Sequence, residues 1–208
     1  MSEFVTNLAG FVATCIAIEL TPGPNMTYLA IMGATQGRRA GFAVVAGVCS
    51  GLALVGLGAA LGLAAVIASS PLLYQALRWA GVLYLLWLAW DAWRDANAEN
   101  DPNNDAAIDY GRLYWRGFVT NVLNPKAAVF YVAILPGFVE PSRPLFGQLL
   151  LLSMIYVLIA TGIHAGIVML ADLARSLTAD RRRALLIRRG LALVLAGVAV
   201  WFAYGTRH

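Results

Sequence analysis

Long apolar runs separated by short polar segments extend along nearly the whole chain. A run of about 18 or more apolar residues is long enough to cross a membrane as a helix. The pattern predicts six transmembrane helices, over residues 4–35, 41–68, 72–93, 113–138, 145–173 and 185–204. Residues 94–112 are polar and rich in acidic side chains, which predicts a surface linker. The fold class is therefore an all-α integral membrane protein, with a single transmembrane domain over residues 1–208.

Two of the predicted helices are interrupted by proline. The first break is Thr-Pro-Gly-Pro-Asn at 21–25, and the second is Asn-Val-Leu-Asn-Pro-Lys at 121–126. Each break lies in the first helix of a three-helix half, 1–93 or 113–208. Because each half has three helices, the second half enters the membrane from the side opposite to the first. The two halves are therefore predicted to form an inverted repeat. Interrupted helices in matching positions of two such halves indicate the binding site of a transporter.

The breaks have a chemistry suited to a zwitterion. Proline has no N–H group, so the three prolines are expected to free the carbonyl groups of Ile18, Leu20 and Asn121. A freed carbonyl attracts an ammonium group, and the new helix start after each break attracts a carboxylate. The substrate-binding candidates are Thr21, Pro22, Gly23, Pro24, Asn25, Asn121, Asn124, Pro125 and Lys126. The alternative is that the prolines only kink packing helices.

Four ionisable residues inside the predicted spans are functional candidates. Lys126 either binds a substrate carboxylate or pairs with Glu19. Glu19 is either a proton-coupling carboxyl group or a hydrogen-bonded structural group. His164 and Asp172 share a face of the fifth predicted helix, two turns apart. They form a proton relay, or else Asp172 caps the cytoplasmic helix end while His164 bonds within the bundle.

Composition and charge exclude several classes of protein. Apolar residues make up 60% of the chain and charged residues 12%, too few to cover a water-soluble globule. The net charge of +4 does not indicate nucleic-acid binding, because the basic residues lie in short loops where they report orientation. The side with most arginines, predicted to be cytoplasmic, holds Arg38, Arg39, Arg94, Arg112, Arg116, Arg175, Arg181, Arg182, Arg183, Arg188 and Arg189. Both termini are then predicted on the outer side, with Arg78, Arg143 and Arg207.

The cysteine and glycine residues support two further predictions, about burial and about helix packing. Cys15 and Cys49 lie in apolar runs and are interpreted as small buried side chains, and no metal-binding spacing accompanies them. The pairs Gly47/Gly51 and Gly58/Gly62 have the spacing that lets helix backbones approach closely. Such spacing serves either packing within the chain or a homodimer interface.

The motifs together resemble the lysine exporter (LysE) superfamily, in its homoserine/threonine exporter branch. The resemblance lies in the 21–25 break, in Gly-Arg-Arg-Ala-Gly at 37–41 leading to Gly47, and in Gly-Val-Leu-Tyr-Leu at 81–85. It continues through Asn-Pro-Lys-Ala at 124–127, Phe130 and Leu-Pro-Gly-Phe at 135–138. These motifs cover nearly the whole chain in the family's order.

The resemblance implies an inner-membrane exporter of amino acids or their derivatives, driven by the proton gradient and without a cofactor. Its site residues would be Pro22, Pro24, Asn25, Asn124, Pro125 and Lys126, whereas no family motif includes Glu19. Two other classes are weighed against export. A membrane enzyme acting on a lipid-linked substrate would need an acid–base or metal cluster. A helical scaffold would have no use for unwound backbone at mid-depth.

Overall fold

The computed structural model describes residues 2–21, 23–62, 70–98, 108–140 and 142–176, with positions 189, 190, 193, 194, 196, 197 and 200. All regular structure in this part of the chain is helical. The α-helices are α1 (Ser2–Leu20), α2 (Pro24–Gln36), α3 (Arg38–Ala60), α4 (Pro71–Ala98), α5 (Tyr110–Val122), α6 (Pro125–Val129) and α7 (Leu145–Ser176). A π-helix (Phe130–Ile134) and a 3₁₀-helix (Leu135–Phe138) continue α6.

Among the described residues, two helices are long and apolar enough to cross a membrane, α3 and α7. The segments Tyr110–Val122 and Pro125–Phe138 meet the same test together and bend by 43°, so they form a third span if they are one broken helix. The apolar parts of α1 and α4, Leu8–Leu20 and Trp79–Trp90, are shorter. The structure therefore confirms an all-α membrane protein. Most of the predicted helix 185–204 lies outside the described residues, and the six-helix repeat stays a prediction.

Several predicted boundaries were wrong, each for a local reason. The second predicted helix starts earlier, at Arg38, directly after Gly37 turns the chain with a φ of 85°. It ends at Ala60 and not at 68, because the chain turns at Leu61 and Gly62, where φ is 83°. The predicted linker 94–112 is shorter, since α4 continues to Ala98 and α5 begins at Tyr110.

Both predicted breaks are present as gaps between helices. The first separates α1 from α2 completely, so the predicted helix 4–35 is two helices. The second separates α5 from α6 at Leu123 and Asn124. Between α6 and α7 the chain forms no further α-helix among the described residues, and it continues as the π-helix and the 3₁₀-helix. Pro136 has no N–H group for an α-helical bond, and Leu135 N donates to Phe130 O in a wider, π-type turn.

Glycine lets α3 pack directly against the backbone of α5. A Cβ atom at Gly47 would overlap the Tyr114 carbonyl oxygen, and one at Gly51 would lie 2.8 Å from Phe118 O. On α5, a Cβ atom at Gly117 would overlap the Val44 carbonyl oxygen. The Gly47/Gly51 pair therefore serves packing within the chain, which was the first of its two predicted uses.

The buried apolar side chains form two clusters. The first cluster joins α2, α3, α4, α5 and α7 around Tyr28, Val44, Leu88, Leu113 and Val168. The second joins α1, α3, the chain after the second break and α7, and contains Phe11, Leu52, Phe130, Leu135 and Tyr156.

The breaks lie between the two clusters. On α7, His164 is one turn from Ala160 of the second cluster and one turn from Val168 of the first. The polar side chains at and around the breaks are here called the polar layer. They are Glu19, Asn25, Asn121, Asn124, Lys126, His164 and Tyr156, the last of which also belongs to the second cluster.

Candidate functional site

The two breaks contact each other through a pair of asparagines. Asn25, near the start of α2, donates from Nδ2 to Oδ1 of Asn121, near the end of α5, over 2.6 Å. Asn25 is 6% exposed and Asn121 1%. The remaining amide atoms, Asn25 Oδ1 and Asn121 Nδ2, have no hydrogen-bond partner among the described residues. A buried acceptor and a buried donor thus stand side by side, each costly to leave unmatched.

The carbonyl groups at the end of α1 are bonded differently from the sequence expectation. Ile18 O was expected to be free, but it accepts from Thr21 N over 3.0 Å, in a tightened last turn. Asn121 O likewise accepts from Asn124 N over 2.9 Å. The oxygens that reach outside α1 are those of Glu19 and Thr21, which face Lys126 Nζ at 3.5 and 3.1 Å.

Glu19 lies at the centre of the polar layer. Tyr156 OH donates to its Oε1 over 2.5 Å, and His164 Nε2 lies 3.2 Å from its Oε2. Lys126 Nζ lies 3.7 Å from the same Oε2. Each of these neighbours is able to donate to the carboxyl group, which as a carboxylate only accepts. One side chain thereby connects α1 with α6 and with α7.

The two helix starts at the breaks differ in how they are capped. Asn124 caps α6, since its Oδ1 accepts from Lys126 N over 3.0 Å. At the start of α2, Gly23 has no side chain and no side-chain cap is present. The first N–H groups of a helix have no partner within the helix. The start of α2 is therefore buried and not capped by any described side chain, whereas one N–H group at the start of α6 is bonded to Asn124.

The remaining predicted site residues are distributed around this layer. Thr21 is exposed, Gly23 and Pro24 are buried, and Pro125 is half-buried. Pro22 lies outside the described residues. Asp172 does not reach Glu19. Its Oδ1 lies 3.9 Å from Arg175 Nη1 at the far end of α7, so the structure brings His164 but not Asp172 to the carboxyl group.

Tyr156 is the contact that the sequence interpretation missed. It lies two turns before His164 on α7, on the same face, and its side chain is almost fully buried. A hydroxyl-bearing aromatic residue at that spacing from a buried histidine was the available signal. The sequence interpretation also missed that Lys126 is the only lysine of the chain, which singles out this position among the basic residues.

A family assignment agrees with this architecture. The chain matches the LysE type translocator family over residues 16–206. It belongs to that family. This confirms the resemblance seen in the motifs and identifies the chain as a transporter and not an enzyme.

Individual relatives are efflux proteins. The chain is 30% identical over 162 residues to a homoserine/homoserine lactone efflux protein of Salmonella typhimurium, covering 78% of this chain and 79% of the relative. It is 33% identical over 143 residues to a leucine efflux protein of an Enterobacter species, covering 68% of each. No solved structure matches the chain.

Proposed function

We propose that this translocator exports amino acids or amino-acid derivatives from the cytoplasm across the inner membrane, by proton antiport through a site between the two broken helices. The observation that carries the proposal is the bond between Asn25 and Asn121. It joins the two breaks, each of which separates a helix of one apolar cluster from a helix of the other. It leaves Asn25 Oδ1 and Asn121 Nδ2 unmatched among the described residues. Relatives named for the efflux of leucine and of homoserine support a substrate of this class.

The site has hydrogen-bonding groups for both the carboxylate and the ammonium group of an amino acid. A carboxylate would accept from the uncapped N–H groups of α2 and from Asn121 Nδ2, since helix starts favour anions. An ammonium group would donate to Asn25 Oδ1 and to the carbonyl oxygens at the end of α1. Both sets of groups come from one chain, so the site needs no second copy.

Proton coupling is assigned to the Glu19 cluster. A carboxyl group surrounded by a tyrosine hydroxyl, a histidine and a lysine can exchange protons with either side as its contacts change. The excess of arginines places the start of α3 on the cytoplasmic side and both chain termini on the outer side.

The proposal is tested by tolerance of an amino-acid load. Cells expressing the protein are fed dipeptides of each of the twenty amino acids, with and without an uncoupler. Growth should improve for the exported amino acid, and the uncoupler should remove the benefit. Asn25→Ala, Asn121→Ala and Asn124→Ala should each lower export by about ten-fold or more, because each removes a buried polar partner worth 1–3 kcal/mol.

The matched control is Ser142→Ala, whose exposed hydroxyl bonds Glu140 in the segment before α7. It should export at the wild-type rate. Normal export by Asn25→Ala and Asn121→Ala, at equal amounts in the membrane, would contradict a site between the breaks.

A further inference from the structure

Lys126 differs in chemistry from every other basic residue of the chain. The sequence has 15 lysines and arginines, and Lys126 is the only lysine among them. Arginine carries a planar fork of donors, whereas lysine carries a compact ammonium group with three. The one place where the chain uses an ammonium group is the break between α5 and α6.

This ammonium group occupies the end of the other broken helix. Lys126 Nζ lies 3.1 Å from Thr21 O, 3.5 Å from Glu19 O and 3.7 Å from Glu19 Oε2. Three oxygens of one helix end, one of them a carboxyl oxygen, therefore surround it. The C-terminal end of a helix also favours a cation through its dipole. The Lys126 side chain is 19% exposed, so the ammonium group is not sealed in.

We infer that these three oxygens are the subsite for the substrate's ammonium group, and that Lys126 fills the subsite when no substrate is bound. The inference rests on the proposed export function and deepens it. A substrate amine has the same charge and donor number as Nζ, so it replaces Lys126 without changing the charge of the site. The displaced Nζ, at the start of α6, is then free to face the substrate carboxylate.

Occupation of the ammonium subsite by Lys126 affects how the substrate-free transporter changes its orientation. In an empty site without Lys126, the carbonyl oxygens of Glu19 and Thr21 lose their donor. The Glu19 carboxyl group keeps Tyr156 and His164 beside it but loses the ammonium group. The empty protein would therefore resist changing its orientation. A site loaded with an amine would still reorient. Lys126 is therefore required for net export, which needs the empty protein to return, more than for exchange of one amino acid for another.

The inference also defines the substrate class. Compounds with a free primary ammonium group should compete for the subsite even when the carboxylate is blocked. Compounds with a free carboxylate and a blocked amine should not. The matched probes are L-leucinamide and N-acetyl-L-leucine. The first keeps the free amine and lacks the carboxylate, and the second keeps the carboxylate and has its amine blocked.

The first experiment uses wild-type protein in proteoliposomes and measures exchange of labelled L-leucine and of labelled L-homoserine. L-leucinamide should inhibit exchange at concentrations about ten-fold or more below those required of N-acetyl-L-leucine, because only the former replaces the Lys126 contacts. Equal or stronger inhibition by N-acetyl-L-leucine would overturn the subsite. Wild-type protein that exchanges neither amino acid would instead contradict the export function itself, so the two failures are distinguishable.

The second experiment compares net efflux with exchange in Lys126→Met. The ratio of exchange to net efflux should rise about ten-fold, because in this variant only the empty protein lacks an ammonium group at the end of α1. Arg143→Met, which removes an exposed cation paired with Glu140, should leave the ratio unchanged. A ratio in Lys126→Met equal to that of wild type would overturn the role of Lys126. If that variant does not fold, the first experiment still decides the inference on the wild-type protein.

Discussion

At the scale of single residues, Glu19 determines how the polar layer is held together. Its carboxyl group contacts Tyr156 and His164 on α7 and Lys126 on α6. All three partners are more than a hundred residues away along the chain. Because a buried carboxyl group is costly without donors, these contacts are expected to stabilise the fold as well as to take part in transport.

Replacing Tyr156 with phenylalanine tests this stabilising role. The ring would keep its stacking on Phe130, at 3.6 Å between centroids, while Glu19 Oε1 would lose its donor. We expect the free energy of unfolding to fall by about 2 kcal/mol, as for other hydrogen bonds to charged groups. Thermal unfolding of the purified protein in detergent measures the loss.

Tyr114→Phe is the matched control, because the Tyr114 side chain is half-buried and no hydrogen bond of its hydroxyl group is found among the described residues. It should unfold at the wild-type temperature. A loss in Tyr156→Phe no larger than in the control would show that the bond to Glu19 contributes nothing to stability.

At the scale of helices, the contact between α3 and α5 is one of backbone on backbone. Gly47 and Gly51 face α5, and Gly117 faces α3. In lipid the association of helices depends on this close packing. Small residues are therefore required at the contact, although the sequence pattern alone did not show which helix they face.

Gly47→Ala tests the contact. The added methyl group would overlap the Tyr114 carbonyl oxygen, which is backbone and cannot rotate away. We expect a loss of about 1–3 kcal/mol, as in other overpacked sites, measured by thermal unfolding. Gly162→Ala on α7 provides the comparison, since a Cβ atom there meets nothing within 4 Å. It should be neutral or slightly stabilising, and equal losses in the two variants would contradict the close packing.

The helices show which features the sequence predicts well. Proline predicted the position of both breaks correctly, because it removes a backbone donor. Helix ends were less accurate where one residue decides them, as where the Asp109 side chain accepts from Arg112 N and starts α5 early. Contacts between residues that are distant in sequence were the hardest to predict. Nothing in local pattern connects Glu19 with Tyr156, which are 137 residues apart.

At the scale of the whole molecule, the distribution of arginine predicts the orientation in the membrane. The exposed residues Arg38 and Arg39 begin α3, and Ser142 lies before α7 in a segment with few basic residues. Cytoplasmic loops carry the excess of positive charge, so the two positions should face opposite sides of the membrane.

Cysteine labelling measures this orientation. After Cys15 and Cys49 are changed to alanine, Ser142→Cys should react with an impermeant maleimide in intact cells. Arg39→Cys should react only after the cells are permeabilised. The reverse pattern would invert the predicted topology.

Each broken helix is completed by the other. The start of α2 bonds the end of α5, and the start of α6 contacts the end of α1. Neither half of the chain would therefore contain the whole of the proposed site. If the chain were cut within residues 99–107 and its fragments were produced separately, each would be inactive alone, and only fragments assembled in the same bilayer would regain transport.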